Sequence, residues 1–283
     1  MKQTFRLINA AFNAKGYYKA MNVALKHVNN EYTMLHYPYF RNESDSFLQS
    51  QKNLTDYCID KLEPVQDKDC IEIGCGNGIQ GQYILEKYNP KSYTGIDLDP
   101  SNIEIANMEK GRKKLKDINF HVDDAQNLKK INGQTFDIVI NIESAFHYPD
   151  KRAFLNEISR ILKPGGKFLI ADLLTKKSNG SNLKGLGLKR KWKNKQVLHH
   201  WNKQQYLSEF AAANLDLIQE EDITSEVIKG FLIYKSWFRQ MNIKGFYNNL
   251  IFKFFYLVNI QLNIFLLRYK RQYGIFIGVK TGS

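Results

Sequence analysis

A cluster of glycines set between two short strand-like runs, with an acidic residue at the tip of the second, constrains this chain more than any other feature. Asp69 to Pro100 reads DCIEIGCGNGIQGQYILEKYNPKSYTGIDLDP. Cys70, Ile71 and Ile73 form an apolar run of the kind that makes a buried parallel strand. Gly74, Gly76, Gly78 and Gly81 follow, then a helical pattern to Lys87, then a second strand from Ser92 to Ile96 that delivers Asp97. This is a strand–helix–strand half-unit. Its glycines turn the backbone sharply and expose bare N–H groups to a ligand. A carboxylate at the second strand's end suits a ribose diol, because it accepts hydrogen bonds from both hydroxyls.

Two nucleoside ligands fit such a unit. Gly76 to Gly81 satisfies G-x-G-x-x-G, the dinucleotide pattern. Glu72 stands two residues before the first glycine, and E-x-G-x-G-x-G resembles motif I of class I S-adenosylmethionine methyltransferases. Asp97, nineteen residues past Gly78, serves either ligand.

Further along, Asn119 to Val122 predicts a third strand ending at Asp123, Asp124 and Ala125, and Phe136 to Asn141 a fourth. Asp124 and Ala125 stand where an adenine would be met, with a solvated turn as the competing reading. Ile142 to Pro149 (IESAFHYP) follows the fourth strand, and ligands of open α/β sheets sit at that end. Lys151 to Leu162 reads as an amphipathic helix broken by Lys163-Pro164-Gly165-Gly166, and Lys167 to Ala171 as a fifth strand ending at Asp172. Asn202 to Asn214 predicts a helix, Leu215 to Glu220 a sixth strand, and Gly274 to Val279 the last, after a helical insertion from Thr224 to Arg271.

Together Glu72 to Gly78, Gly95-Ile96-Asp97, Phe136-Asp137, Glu143-Ser144 with His147, and Leu162 to Gly166 resemble a class I S-adenosylmethionine-dependent methyltransferase over roughly residues 54–175. Ser92 to Pro100, Asn141 to Pro149, Phe168 to Leu173 and Ile223 to Gly230 narrow the resemblance to bacterial small-molecule enzymes: phthiotriolone, fatty-acid and natural-product sugar O-methyltransferases. The resemblance implies an α/β, Rossmann-like, seven-stranded and mostly parallel sheet with helices on both faces and helical caps. It implies S-adenosylmethionine as cofactor, S-adenosylhomocysteine as product and no metal. Glu72 would anchor the loop or the amino group, Gly74, Gly76 and Gly78 the methionine part, and Asp97 the ribose. Leu98 would lie on the adenine, Asp124 at its amine with Ala125 beside it, and Asn141 and Ile142 along the methionine chain.

His147 is the best-placed base for an alcohol acceptor, because an imidazole takes a proton near neutral pH. Asp172, ending the neighbouring strand, is expected to pair with it. His199 and His200 beside Trp201 are reserves. The rival reading of His147 is a turn cap stacked on Tyr148.

The domain reading is one methyltransferase unit over residues 1–283. It comprises an N-terminal helical cap (1–66), a cofactor core (67–175), a basic lid loop (176–201), and the remaining sheet with its insertion (202–283; 224–271). Within the cap, Ala10 to His27 and Ser44 to Leu62 read as helices, with Asn42 or Ser44 as N-cap. Tyr32 to Phe40 between them reads as a packed strap or as an active-site cover. The lid, Lys176 to Lys195, holds eight Lys/Arg and three glycines.

Phe246 to Leu267 is apolar but interrupted by Asn and Lys, which argues against a membrane span. Core packing, a lid over a greasy acceptor pocket and docking on a membrane surface are its three readings. Cys58, Cys70 and Cys75 have no metal-site spacing, and Met1 to Asn13 carries no secretory pattern, so a reducing cytoplasm is expected. A net charge of +13 invites a nucleic-acid partner. Ile142 to Pro149 lacks the Pro-Pro-Tyr-like sequence of nucleic-acid N-methyltransferases, so none is expected. The reading is methyl transfer to a small hydrophobic acceptor such as a lipid or polyketide, at oxygen. The alternatives are C-methylation of sterol or tocopherol type, nucleic-acid methylation, and S-adenosylmethionine binding without catalysis.

Overall fold

The structure is a computed structural model describing residues 14–176, 198–241 and 250–282. Helices α1 (Ala14–Asn29) and α2 (Phe47–Ile59) precede a sheet built from β1 (Asp69–Ile73), β2 (Ser92–Asp97), β3 (Ile118–Val122) and β4 (Phe136–Ile142). Helices α3 (Ile79–Tyr88) and α4 (Pro100–Lys113) cross over between the first three of these strands. A single 3₁₀ turn, Ala145–His147, leads into α5 (Lys151–Ile161) and β5 (Leu162–Thr175). Then come α6 (Lys203–Ala212), β6 (Leu215–Asp222), α7 (Thr224–Gln240), α8 (Leu250–Tyr269) and β7 (Arg271–Lys280).

The strands lie in the order β3-β2-β1-β4-β5-β7-β6. β1 to β5 pair in parallel, and β7 runs antiparallel to both β5 and β6. This is the seven-stranded, mostly parallel sheet that the sequence predicts. Strand alternation divides the core between its two faces. Cys70, Ile138, Ile140 and Leu169 pack on the side of α2, α7 and α8. Ile71, Ile73, Val139, Phe168 and Ile170 pack on the side of α5 and α6.

Several boundaries differ from the sequence reading for local reasons. α2 starts at Phe47 because Ser46, not Asn42 or Ser44, caps it by accepting from Gln49 N–H. Lys163 to Gly166 does not separate helix from strand. It bulges out within β5, whose pairing with β4 jumps from Phe136↔Leu162 to Ile138↔Lys167. The Lys163 ammonium then bridges the carboxylates of Asp69 and Asp137 at 3.2 and 2.9 Å. The insertion is two helices, α7 and α8, and β7 begins three residues earlier than expected. The basic segment expected as a lid falls largely on 177–197, and the start of the apolar stretch on 242–249, both outside the described residues.

Candidate active site

Two cavities lie side by side at the carboxyl ends of β1, β2 and β4. The first, of about 660 Å³, is lined by the glycine loop, the β2 tip and the β3 and β4 turns. Asp97 is its centre. One carboxylate oxygen accepts Gly76 N–H at 2.9 Å; the other accepts Asp99 N–H at 2.8 Å and Asn102 Nδ2–H at 3.3 Å. Those bonds fix the carboxylate against the loop, while burial raises its pKa. A relay of amides extends from it: Asn22 Nδ2–H donates to Asn102 at 3.0 Å, and Asn77 Nδ2–H donates to Asn22 at 2.7 Å. Through this relay α1 is pinned to the same loop that holds Asp97.

Glu72 lies behind the loop, with its carboxylate accepting from Tyr93 O–H at 2.8 Å. Burial pushes its pKa up to about 7, against the pull of the Tyr93 bond. Gly74, Gly76, Leu98, Asp124, Ala125 and Ile142 all face this cavity. Two expected residues do not. Gly78 caps α3 in the left-handed region, and a Cβ there would lie 2.6 Å from Ala106 and 2.8 Å from Phe120. Its role is backbone conformation and close packing. Asn141 is fully buried, and its amide donates to Ile73 C=O at 2.8 Å and to Ser144 Oγ at 2.6 Å, tying β4 to the end of β1.

A donor absent from the sequence reading is Gln80, in the first turn of α3. It lines the cavity, is 4% exposed, and its Nε2 has no hydrogen-bond partner among the described residues. An orphaned buried donor costs about 1–3 kcal/mol, and a ligand carboxylate at this helix N-terminus removes that cost. Carboxylates for a diol and an ammonium, with an amide donor for a carboxylate, match the adenosyl and amino-acid ends of S-adenosylmethionine.

The second cavity, of about 530 Å³, lies between the strap, α1, α7 and α8. Apolar side chains such as Met21, Leu25, Phe231, Tyr256 and Leu266 dominate its wall. Tyr18, Met34, Leu35, His36, Glu143 and His147 line both cavities. Met34 to His36 belong to the Tyr32–Phe40 strap, which therefore covers the site as well as packing on the core.

His147 stands in that shared wall. Its Nε2 is hydrogen-bonded to Tyr18 O–H, and its ring packs at 4.2 Å from Phe146. Burial, with the charge of Lys151, lowers its pKa to about 3, so the ring is neutral at physiological pH and, contrary to the sequence expectation, does not itself titrate near neutrality in the ligand-free protein. The expected bond to Asp172 is absent among the described residues. Asp172 is fully buried, accepting Phe146 N–H at 2.9 Å and Tyr206 O–H at 2.7 Å, with the Lys151 ammonium 4.0 Å away. Lys151 in turn donates to the carbonyls of Ala145 and His199. The physical reason is reach: strand β5 aims Asp172 at the backbone of the 3₁₀ turn, not at the side chain the turn presents. Asp172 and Lys151 clamp the turn that carries His147. His200 donates Nδ1–H to Leu173 C=O at 2.6 Å, with burial and the nearby Arg271 charge depressing its pKa to about 4.

Glu143 is the second polar group of the shared wall. It occupies the left-handed region (φ 52°) and accepts Tyr37 N–H at 2.7 Å. Burial raises its pKa to about 8. A bulky non-glycine residue in that conformation carries strain, which clusters at functional sites. The sequence showed Glu143 only as part of a motif; its strained backbone is visible only in three dimensions.

Sheet order, glycine loop and a ribose-competent acid at the β2 tip define a Rossmann-like nucleoside-binding enzyme fold. The chain belongs to the methyltransferase-domain family, whose profile matches residues 65–221. It is 40% identical over 106 residues to a phthiotriol/phenolphthiotriol dimycocerosates methyltransferase of Mycobacterium tuberculosis, covering 38% of each chain. It is 38% identical over 108 residues to a fatty-acid O-methyltransferase of Mycolicibacterium smegmatis, again 38% of each. The aligned part thus spans little more than a third of these curated relatives. The [4+2]-cyclase SpnF shares the fold, with a TM-score of 0.74 at 18% identity, over 96% of this chain and 97% of that one. Other structures of this fold were solved with S-adenosylmethionine or S-adenosylhomocysteine bound. The domain is an S-adenosylmethionine-dependent methyltransferase domain.

Proposed function

We propose that the protein transfers a methyl group from S-adenosylmethionine to oxygen on a small hydrophobic acceptor. The observation that carries this is a wall shared by two cavities: one into which the carboxylates, amides and loop backbone suited to the cofactor converge, the other lined chiefly by aliphatic and aromatic side chains of the helices. The bound sulfonium supplies an electrophilic methyl group. Asp97 would hold the ribose hydroxyls, Glu72 the ammonium and Gln80 the carboxylate, setting the sulfur toward the shared wall. The contribution of these groups is alignment, which in-line displacement rewards strongly. The strap residues Leu35 and His36 exclude water from the junction.

His147 is the general base of this reading. Its ring is neutral, and its Nε2 faces Tyr18 O–H. An acceptor hydroxyl in place of that contact would pass its proton to the imidazole as the methyl–oxygen bond forms and the methyl–sulfur bond breaks, when the oxonium-like oxygen is acidic enough for this weakly basic ring. Asp172 holds the turn and so positions the ring. Glu143 supports a second reading: a buried carboxylate whose pKa is raised to about 8 suits taking a proton from carbon, as C-methylation requires. Both readings treat the cap, core and β7 region as one methyltransferase unit.

Lipid-derived acceptors suit the second cavity, and a membrane surface is the proposed docking partner. Phe254, Val258, Phe265 and Tyr269 make an exposed stripe at helical spacing along α8. The opposite side of α8, with Tyr256, Ile260 and Leu266, lines the cavity. The net charge of +13 favours an anionic lipid surface. Among the described residues no helix is long and apolar enough to cross a membrane.

The test is transfer of labelled methyl from S-adenosylmethionine into a lipid and metabolite extract, followed by mass spectrometry of the labelled product. An O-methyl ether or ester supports the proposal, and a C-methyl product transfers the role to Glu143. Tight S-adenosylhomocysteine binding with no labelled product in any fraction would overturn it. Vesicle flotation with and without anionic lipid tests the docking surface; a concentration-dependent dimer that stays off vesicles refutes it.

A further inference from the structure

Arg271 begins β7 opposite Thr175 of β5 and lines the apolar cavity beside Phe146, His147, Leu173 and Leu198. Its Nε is buried and has no hydrogen-bond acceptor among the described residues, and no carboxylate there pairs with its guanidinium. Glu143 is the acidic side chain on the described wall of this cavity, and its Oε1 is taken by the Tyr37 amide. The nearby His200 side chain is neutral and donates Nδ1–H to the Leu173 carbonyl, and its Nε2 makes no hydrogen bond to Arg271 or to any other of the described residues.

A guanidinium against an apolar cavity, with its buried donor unmatched, carries a desolvation cost that a partner normally offsets. Its planar fork fits the two oxygens of a carboxylate or phosphate in bidentate fashion. A structural arginine would be expected to use such donors on backbone carbonyls, as Arg160 does on Ile131 and Leu128. Arg271 does not.

We propose that the methyl acceptor is an anionic amphiphile whose carboxylate or phosphate pairs with Arg271 while its hydrocarbon part fills the second cavity. This rests on the methyltransfer reading above and adds the substrate's charge to it. Arg271 lines the second cavity and not the first. In this proposal the anchored oxyanion and the methylated atom are different groups of one molecule, the latter lying at the wall of Glu143 and His147 that both cavities share.

Calorimetry on protein saturated with S-adenosylhomocysteine, using dodecanoate, dodecyl phosphate and dodecanol as probes, tests it. At least one anion should bind about tenfold or more tighter than the alcohol, the worth of a charged hydrogen-bonded pair. The tighter anion identifies the headgroup. Arg271→Gln should abolish the preference and leave dodecanol affinity unchanged; Arg271→Lys, which keeps the charge but not the fork, should retain part of it. Equal binding of all three probes by the wild type overturns the proposal, as does a uniform loss for all three in a folded Arg271→Gln. If that variant fails to fold, an undiminished anion preference in Arg271→Lys overturns it instead. S-adenosylhomocysteine affinity is read first in every case: its absence in the wild type would remove the methyltransfer reading, whereas its presence with no anion preference removes only the anion subsite.

Discussion

The two cavities that meet at Glu143 and His147 are made in opposite ways. The cofactor side is drawn by backbone: strand tips, a loop held in left-handed conformations, and a carboxylate fixed by amide N–H groups. The second cavity, the proposed acceptor side, is drawn by side chains of α1, α7 and α8 and the strap, elements from the two ends of the chain. The family profile spans 65–221, so it covers the first cavity's loop and strand tips and omits most of the second cavity's walls. Backbone geometry tolerates few sequences, whereas a greasy wall tolerates many as long as volume is kept. A shared catalytic frame can therefore serve different acceptors.

That contrast also explains what could be read from the chain. The half-unit from Asp69 to Asp97 was legible because glycines with positive φ and a tip acid have few other uses. Gly78 was legible as a loop glycine but not in its role, since its constraint is the nearness of Ala106 and Phe120 from distant segments. Gln80 and Arg271 were missed because an unsatisfied donor is a property of the fold and not of a motif. The His147–Asp172 pairing came from neighbouring strand ends alone. Strand adjacency was right, but it could not say whether Asp172 would reach the ring or the turn's backbone. The strap was legible as aromatic and Pro-interrupted, and its double role needed the position of α1 to settle.

The largest expected effect lies beneath the wall the cavities share. Asp172→Ala leaves the fully buried Lys151 ammonium without its counter-charge and frees the turn at Phe146 N–H. Breaking such a pair costs about 3–5 kcal/mol. Thermal denaturation should show a large loss of stability, with both cofactor binding and turnover impaired together at raised temperature. An unchanged midpoint would mean the clamp does not support the wall. Next is Asp97→Ala, which removes the proposed ribose acceptor and the tether of Gly76. S-adenosylhomocysteine affinity should fall about 10²-fold or more, with dodecanol affinity unchanged. If both fall equally, the two sides are not independent.

His147→Ala sharpens the division from the other direction. Turnover should drop by about 10²-fold if the imidazole takes the proton, and S-adenosylhomocysteine should bind as in the wild type. Unchanged turnover would leave Glu143 as the remaining candidate at the junction. His147→Gln, which keeps a hydrogen-bond acceptor but cannot take a proton, should be as slow as the alanine variant.

The smallest effect separates the sides by pH. Burial holds Glu72 up at about 7 and Glu143 at about 8, both above the ordinary glutamate value of 4.5. Between 4.5 and those values the folded chain binds more protons than the unfolded one, so these groups make stability fall as pH rises. His36, His147 and His200, depressed to about 4, 3 and 4, act in the other direction. Their contribution is complete above 6.5 and is lost as pH falls below it. Lys151, lowered to about 8, adds stability only above that value. Across the window from 6.5 to 8 the carboxylates outweigh the tail of the histidine titrations and the onset of Lys151, and the ligand-free protein should lose on the order of 1–2 kcal/mol. Glu143→Gln should flatten the slope between 7 and 8, and Glu72→Gln only the part below 7. A cationic ligand favours the ionised carboxylates, so S-adenosylmethionine binding at pH 7.5 should release protons, measured by calorimetry in buffers of different ionisation heat. S-adenosylhomocysteine keeps the ammonium that the proposal sets near Glu72 but lacks the sulfonium charge that it sets toward Glu143. It should release fewer, and equal release by the two ligands would place the sulfonium away from the shared wall.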